Sequence, residues 1–255
     1  MSKLTIDEIT ARLRMAGLEN ARLEARWLFE DAPDAETLAA WVARREAGEP
    51  LQYVEGFAFF MGHRFRVDSR VLIPRPDTEI LAEAALGYLE KLESPSVLDM
   101  CTGSGALAVT IARARRDARV TAVDISEDAL CVARENGADT QVQFVKSDLF
   151  DSVEGDFDVI VCNPPYLTSG DMDELQSEVR QEPALALFGG EDGLDFYRRM
   201  AEALPQRMKH AAFFEVGMGQ AADVKEIMQA AVHGRCEIFR DLTGIERVVM
   251  IERPG

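Results

Sequence analysis

The feature that most constrains the fold is an alternation of short apolar runs with helical patterns, which begins at Ser96. The apolar runs predict strands at 97–100, 120–123, 142–145, 157–161, 212–216, 236–240 and 247–251, and the helical patterns predict helices at 106–114, 127–136, 194–204 and 221–231. Strands that alternate with helices at this spacing are typical of a parallel, doubly wound sheet. Only Asp241 to Gly244 separates the last two strands, so we expect an antiparallel hairpin there.

The part of the chain before this alternation has a different pattern. Residues 1–50 show only helical spacing and begin with Thr5-Ile6-Asp7-Glu8, which fits the S/T-x-x-E capping box. Residues 51–76 carry aromatic residues and two glycines, a pattern that predicts a connector with a β-hairpin. The predicted organisation is therefore a small N-terminal helical domain, this connector, and an α/β domain over 77–255.

The prolines of Pro74-Arg75-Pro76 interrupt the chain immediately before the α/β domain. A helix is predicted at 78–92, because proline disfavours a helical conformation in the residue before it and apolar residues then recur at helical spacing. Asp77 or Thr78 is the expected N-cap, since short polar side chains satisfy the free N–H groups of a first turn.

Composition narrows the classes of function. The net charge is −17, and no basic run follows the chain in the way that binding to a phosphate backbone requires. An acidic surface suits a basic protein partner better than nucleic acid. The four cysteines lie far apart and the three histidines are not at ligand spacing, so neither a disulfide framework nor a metal site is expected. Without a long apolar run or a signal-peptide pattern, we expect a cytoplasmic protein that does not bind membranes, and a monomer.

The first strand of the α/β domain leads into a glycine-containing loop with the sequence Asp99-Met100-Cys101-Thr102-Gly103-Ser104-Gly105. Glycines at a strand-to-helix turn let the backbone approach a ligand, and the helix N-terminus offers free N–H groups. Asp124 ends the second strand, where its carboxylate can accept hydrogen bonds from both hydroxyls of a ribose. These features predict a nucleotide-type cofactor. They also fit a dinucleotide, because Gly103, Gly105 and Ala108 match G-x-G-x-x-A.

A resemblance separates the two cofactors. D-x-x-T-G-S-G followed by V-D-I-S resembles the cofactor motif of class I methyltransferases, which implies S-adenosyl-L-methionine and a Rossmann-like sheet. In that family glycine is usual at the position of Cys101. We expect the cysteine to be tolerated if its small side chain points away from the cofactor.

The tetrapeptide Asn163-Pro164-Pro165-Tyr166 follows an apolar strand and is the most specific motif in the chain. The two prolines stiffen the backbone and remove N–H donors. The Asn163 side-chain oxygen and the Pro164 carbonyl could then accept both hydrogens of one –NH₂ group, while Tyr166 supplies a flat surface for a planar substrate. Two acceptors would orient an amide or aromatic amine toward a methyl donor without a strong base. These four residues are the predicted catalytic residues.

Motifs along nearly the whole chain resemble the release-factor glutamine methyltransferase family. They include Pro50-Leu51-Gln52-Tyr53-Val54, Val71-Leu72-Ile73-Pro74-Arg75-Pro76-Asp77-Thr78-Glu79, Glu182-Pro183, Gly189-Gly190-x-Asp192-Gly193, Glu215-x-Gly217 and Asp241-Leu242-x-Gly244. The resemblance implies N5-methylation of the glutamine in the Gly-Gly-Gln motif of peptide-chain release factors, docked in part by the N-terminal helices. It also implies that the cofactor is lined by Cys101, Thr102, Gly103, Ser104, Gly105, Asp124, Leu149 and Asn163.

Three other functions remain open at this point. Related enzymes methylate glutamine on a ribosomal protein, and cysteine at position 101 is familiar from that group. Adenine-N6 methylation would use the same tetrapeptide, but it calls for a basic groove and a target-recognition domain that the sequence lacks. A catalytically silent protein that keeps the cofactor fold is the third alternative, against which the intact tetrapeptide argues.

Overall fold

A computed structural model describes residues 3–254 of the chain. Met1, Ser2 and Gly255, which are the outermost residues of the expected ranges 1–50 and 77–255, lie outside the described part. Among the helices of the described part, none combines the length and the apolar character that a membrane span requires.

A seven-stranded sheet forms the centre of the molecule. Its strands are β3 (Ser96–Met100), β4 (Arg119–Asp124), β5 (Gln143–Lys146), β6 (Phe157–Cys162), β7 (Met208–Glu215), β8 (Arg235–Arg240) and β9 (Glu246–Glu252). The spatial order is β5-β4-β3-β6-β7-β9-β8. The first five strands in this order are parallel, whereas β9 runs antiparallel to both of its neighbours. The expected mostly parallel sheet with a C-terminal antiparallel hairpin is confirmed.

Helices cover both faces of this sheet. They are α5 (Pro76–Leu89), α6 (Ala106–Ala114), α7 (Glu127–Asn136), α9 (Asp195–Arg207) and α10 (Ala221–Val232). The short helix α8 (Ser169–Asp173) lies in the segment between β6 and α9 and buries no residue. Successive strand residues point to opposite faces, so Ile160 and Cys162 belong to the core under α9 and α10, while Val159 and Val161 belong to the core under α5 and α6. Burial on both faces explains why β6 is apolar without interruption from Val159 to Cys162.

The N-terminal part contains α1 (Ile6–Met15), α2 (Ala21–Asp31), α3 (Ala35–Glu46) and α4 (Leu51–Glu55), followed by a hairpin of β1 (Phe57–Phe60) and β2 (His63–Arg66). Thr5 and Glu8 form the expected capping box at the start of α1. The helices enclose a small core of their own around Leu13, Leu28 and Leu38. The exact division of the chain at 50 and 76 stays a prediction.

The expected N-cap of the helix after the proline segment is wrong. Helix α5 begins at Pro76, its N-cap is Arg75, and no side chain caps it. Proline suits the first helical position because its fixed φ is already helical and its missing N–H would have been unpaired there. Thr78 therefore lies inside the first turn, where its side chain is buried and is free for another role.

Candidate functional site

A cleft opens at the carboxyl ends of β3, β4 and β6, where neighbouring connections diverge to opposite faces of the sheet, the usual ligand position in this type of fold. Of the residues predicted to bind cofactor or substrate, those that line it are Cys101, Thr102, Gly103, Ser104, Asp124, Leu149, Asn163 and Pro165. Gly105, Pro164 and Tyr166 do not line it. Thr78, Ile125 and Phe196, which the sequence did not single out for the cleft, also line it, and so does Arg75 of the proline segment, which the family resemblance had suggested would pack beside the active site.

The side chain of Asp99 anchors the glycine-containing loop through hydrogen bonds. Its Oδ2 accepts the Thr102 hydroxyl at 2.6 Å and the Ala108 N–H at 3.1 Å, which joins the loop to the first turn of α6. The carboxyl group is completely buried. This burial and the charge of Asp124 raise the pKa of Asp99, the hydrogen bonds from Thr102 and Ala108 lower it, and the net result is a pKa of about 7. Asp99 is therefore a structural support of the loop and does not line the cleft.

Asp124 joins the loop to the next strand. Its Oδ2 accepts the N–H of Gly103 and its Oδ1 accepts the N–H of Ser126, both at 2.9 Å. Burial raises the pKa of Asp124, and these backbone hydrogen bonds oppose that rise. Because each carboxylate oxygen has two acceptor positions, both oxygens keep one for a ligand. The carboxylate is held in one orientation at the cleft wall.

Three residues of the loop, Cys101, Gly103 and Gly105, have a left-handed backbone, and the reasons differ between Gly105 and Cys101. Gly105 is the N-cap of α6 with φ +82°, and a Cβ placed on it would lie 3.1 Å from the Cβ of Ala133. The absence of a side chain at Gly105 therefore permits the close packing of α6 against α7. Cys101 has φ +61°, a region that favours glycine, which gives a physical reason for glycine being usual at this position. The cysteine side chain packs against the core as well as lining the cleft.

Asn163 follows β6 directly and is held by a residue of α5. Its Nδ2 donates to Thr78 Oγ1 at 3.1 Å. Among residues 3–254, no donor reaches the Asn163 Oδ1 or the Pro164 carbonyl. Both acceptors are therefore unengaged, but only Asn163 lines the cleft, whereas Pro164 is buried beside it.

Tyr166 is anchored on the side away from the cleft. Its hydroxyl donates to Glu215 Oε1 at 3.3 Å, and burial raises the pKa of the tyrosine further above its ordinary value. The ring packs against the core under α9 and α10. Its suggested use as a stacking surface stays a prediction.

The segment from 167 to 193 packs against the backbone of the tetrapeptide. The backbone of Leu167 pairs with that of Phe188, and the N–H of Gly189 donates to the Leu167 carbonyl at 2.8 Å. A Cβ on Gly189 would lie 2.6 Å from the Pro165 carbonyl oxygen, and one on Gly193 would lie 2.3 Å from that of Tyr166. These glycines of the family motif therefore let the segment pack directly on the tetrapeptide backbone.

Glu182 links this segment to the proline segment before α5. Its Oε1 pairs with the Arg75 guanidinium, and its Oε2 accepts the N–H of Ile73 at 3.1 Å. Glu79 has a comparable role at the hairpin, because its Oε1 accepts the N–H of Met61. Both glutamates had no assigned chemistry in the sequence, and both bind backbone N–H groups in the structure.

Comparison with known proteins places the chain among methyltransferases. Residues 78–184 match the family described as "Methyltransferase small domain". A release factor glutamine methyltransferase from Deinococcus radiodurans is 39% identical over 98% of this chain and 98% of its own length. Another, from Neisseria gonorrhoeae, is 43% identical over 81% of this chain and 78% of its own length. A solved methyltransferase structure from Pyrococcus furiosus matches with a TM-score of 0.57 over 85% of this chain and 98% of its own, at 16% identity, a likeness of fold alone.

Proposed function

The chain belongs to the release factor glutamine methyltransferase family, and we propose that it transfers a methyl group from S-adenosyl-L-methionine to a glutamine side-chain amide of a peptide-chain release factor. The glutamine is the one in the Gly-Gly-Gln motif. The observation that carries this proposal is the unengaged Oδ1 of Asn163, a residue that lines the cleft, next to the Pro164 carbonyl, which is also unengaged within the described residues.

The residues of the cleft fit this cofactor. Asp124 has a spare acceptor position on each oxygen, as two ribose hydroxyls require. Ile125, Leu149 and Phe196 supply apolar lining that suits an adenine ring. We assign cofactor binding to these residues together with Cys101, Thr102, Gly103, Ser104 and Asn163. Gly105 supports the loop through the packing of α6.

The bound cofactor would supply an electrophilic methyl group on a sulfonium. The protein has to orient an amide nitrogen, which is a weak nucleophile because its lone pair is delocalised into the carbonyl. Asn163 Oδ1 and the Pro164 carbonyl accept one N–H each, which fixes the plane of the –NH₂ group and favours localisation of its lone pair. Negative partial charge on both acceptors stabilises the positive charge that develops on nitrogen. After transfer the positively charged amide nitrogen is strongly acidic and gives its extra proton to solvent water, so no strong base is needed.

Transfer of label tests this proposal. Purified protein and methyl-labelled cofactor are incubated in parallel with a release factor, with the same release factor carrying Gln→Ala in its Gly-Gly-Gln motif, with ribosomal proteins, and with DNA. We expect label on the first acceptor only. Label on a ribosomal protein would move the assignment to the related group of enzymes, and label on DNA would contradict the amide mechanism.

Variants of Asn163 test its role in methyl transfer. Asn163→Ala removes one of the two acceptors and should reduce kcat by about 100-fold to 1000-fold, the size seen when one preorganised hydrogen-bonding group is lost. Asn163→Asp is nearly isosteric but cannot donate to Thr78. We therefore expect kcat to fall by a factor of the same order in a protein that still folds. An Asn163→Ala protein that retained most of its turnover would contradict the role of this acceptor.

A further inference from the structure

The side-chain amide of Gln220 joins the end of the tetrapeptide to the loop after β7. Gln220 is the N-cap of α10. Its Nε2 donates to the Tyr166 carbonyl at 3.0 Å, and its Oε1 accepts the Gly217 N–H at 2.9 Å. The two bonds use opposite ends of the amide, so together they fix its orientation. The transfer step described above makes no use of this residue.

Two glycines enclose this amide. A Cβ on Gly193 would lie 2.5 Å from Gln220 Nε2, and a Cβ on Gly217 would lie 2.7 Å from Gln220 Oε1. These distances leave no room for a side chain at either position, so the amide is held this closely only because both neighbours are glycine. Close packing on both sides adds to the two hydrogen bonds in keeping the amide in place.

The bond from Gln220 holds a stretch of backbone that has few other hydrogen bonds. Proline lacks an N–H, so residues 164–166 have three backbone carbonyls and only one backbone donor. Among residues 3–254, a single one of these four groups has a hydrogen-bond partner, and it is the Tyr166 carbonyl. The backbone of this stretch is therefore fixed by hydrogen bonding at one point, and Gln220 provides it.

An anchor at this end matters because prolines fix only part of the backbone geometry. The proline ring sets φ, whereas ψ, which turns the carbonyl group, stays free. With φ fixed at both prolines, the direction of the Pro164 carbonyl depends on where the two ends of the tetrapeptide are held. Thr78 holds the Asn163 side chain at one end, and Gln220 holds the Tyr166 carbonyl at the other.

We propose that Gln220 is a positioning residue for methyl transfer, which fixes the Tyr166 carbonyl and thereby keeps the Pro164 carbonyl directed at the substrate amide. The inference rests on the proposed function. Gln220 does not line the cleft, so it acts through the tetrapeptide and not by touching the cofactor. Its loss should therefore lower kcat and leave cofactor binding unchanged.

The kinetic test compares two replacements that break different bonds. Gln220→Glu, as a carboxylate, keeps an acceptor for the Gly217 N–H but has no donor for Tyr166, whereas Gln220→Met is similar in length and loses both bonds. We expect each to lower kcat by about tenfold to 100-fold, the range expected when a reacting group is displaced, with an unchanged dissociation constant for the cofactor. Gln229→Met is the matched control, because Gln229 lies in α10 and its side chain bonds to Gly234. Its kcat should equal that of the wild type.

Other patterns of kcat would overturn the proposal. If Gln220→Glu kept the turnover of the wild type, the residue would act only through the loop at Gly217 or not at all. If Gln220→Glu lost turnover and Gln220→Met did not, the loss would be an effect of the added charge. If Gln229→Met lost as much as the two Gln220 variants, any disturbance of α10 would be enough to slow the reaction.

A second measurement observes the Tyr166 carbonyl without turnover. Tyrosine precedes leucine in the chain only at 88–89 and 166–167, so tyrosine labelled with ¹³C at the carbonyl, combined with ¹⁵N-leucine, gives two correlated NMR signals. We expect Gln220→Glu and Gln220→Met each to shift the carbonyl signal of Tyr166, which loses its hydrogen bond, while that of Tyr88 stays in place and reports an intact fold. An unmoved Tyr166 signal in either variant would overturn the proposal. If the wild type methylated no release factor, the proposed function would fail, yet these signals would still decide whether Gln220 holds the carbonyl.

Discussion

The carboxylate of Asp124 and the backbone N–H of Gly103 form a 2.9 Å hydrogen bond that joins the ends of two adjacent parallel strands. The same carboxylate faces the cleft, so one side chain both shapes the glycine-containing loop and offers acceptors to a ligand. A change at this position therefore alters the loop and the ligand contacts together.

Replacement of Asp124 tests its part in cofactor binding. Asp124→Ala removes the acceptors for two hydroxyl groups, and hydrogen bonds to a charged group contribute about 1.5–3 kcal/mol each. We expect the dissociation constant of S-adenosyl-L-methionine, measured by titration calorimetry, to rise at least about tenfold to 100-fold. Asp128→Asn is a control that also removes one negative charge, because Asp128 is exposed on α7 and does not line the cleft. An unchanged dissociation constant in Asp124→Ala would remove Asp124 from the site.

The left-handed backbone of Cys101 predicts an order of stability among its variants. A left-handed conformation costs a residue with a Cβ about 1–2 kcal/mol relative to glycine, and glycine gives back about 0.4–1 kcal/mol through the entropy of the unfolded chain. We expect Cys101→Gly to be more stable than Cys101→Ala by up to about 1 kcal/mol in urea unfolding. Alanine is the matched comparison because both variants lose the thiol. The reverse order would mean that the side chain at 101 contributes more through packing than the backbone conformation costs.

Local patterns were enough to predict much of this fold. The periodicity of α6 and α7 predicted their ends at 106–114 and 127–136, which the structure confirms. The same reasoning failed at α5, because a proline at the first helical position replaces a capping side chain and moves the start to Pro76. It also missed α8 and the 3-10 turns at Val179–Gln181 and Ala184–Ala186, which are too short for a period to be recognised.

The partners of the site residues could not be predicted in the same way. Asn163 and Asp124 stand out because each follows a strand in a recognisable motif. Thr78 reaches Asn163 only through the position of α5 over the sheet, and Glu215 reaches the Tyr166 hydroxyl only through the register of β7 against β6. Those contacts join residues 85 and 49 positions apart, which no local pattern encodes. The motif Glu215-x-Gly217 was a signal that the position matters, without saying for what.

The ion pair between Arg75 and Glu182 should stabilise the segment over the tetrapeptide. Glu182 has a side chain that is 2% exposed, whereas that of Arg75 is 34% exposed. Arg75→Ala leaves a buried carboxylate without its cation, a change that costs about 3–5 kcal/mol for fully buried pairs. We expect a loss of about 1–3 kcal/mol here, because Arg75 is partly solvated. The free energy of unfolding in urea measures it.

The double variant provides the control for that prediction. Glu182→Gln keeps an acceptor for the Ile73 N–H without a charge, so Arg75→Ala combined with Glu182→Gln should recover part of the lost stability. If the two changes were simply additive, the pair would contribute nothing through its charges.

The buried Asp99 predicts how stability depends on pH. Its pKa rises from an ordinary value of 3.8 to about 7 in the folded protein, so the folded state binds the proton more tightly than the unfolded chain. The resulting stability is fully present below about pH 4 and is lost as pH rises through about 7. Asp99→Asn keeps an oxygen for Thr102 and Ala108 and removes the titration. Between pH 5 and pH 8 the free energy of unfolding of the wild type should fall by on the order of 2–4 kcal/mol relative to this variant.

Urea unfolding of both proteins at four pH values measures this difference. Because Glu55 and Glu215 titrate in both proteins, the comparison isolates Asp99. Parallel curves for the two proteins would mean that Asp99 keeps an ordinary pKa in the fold, and that its support of the loop carries no electrostatic penalty.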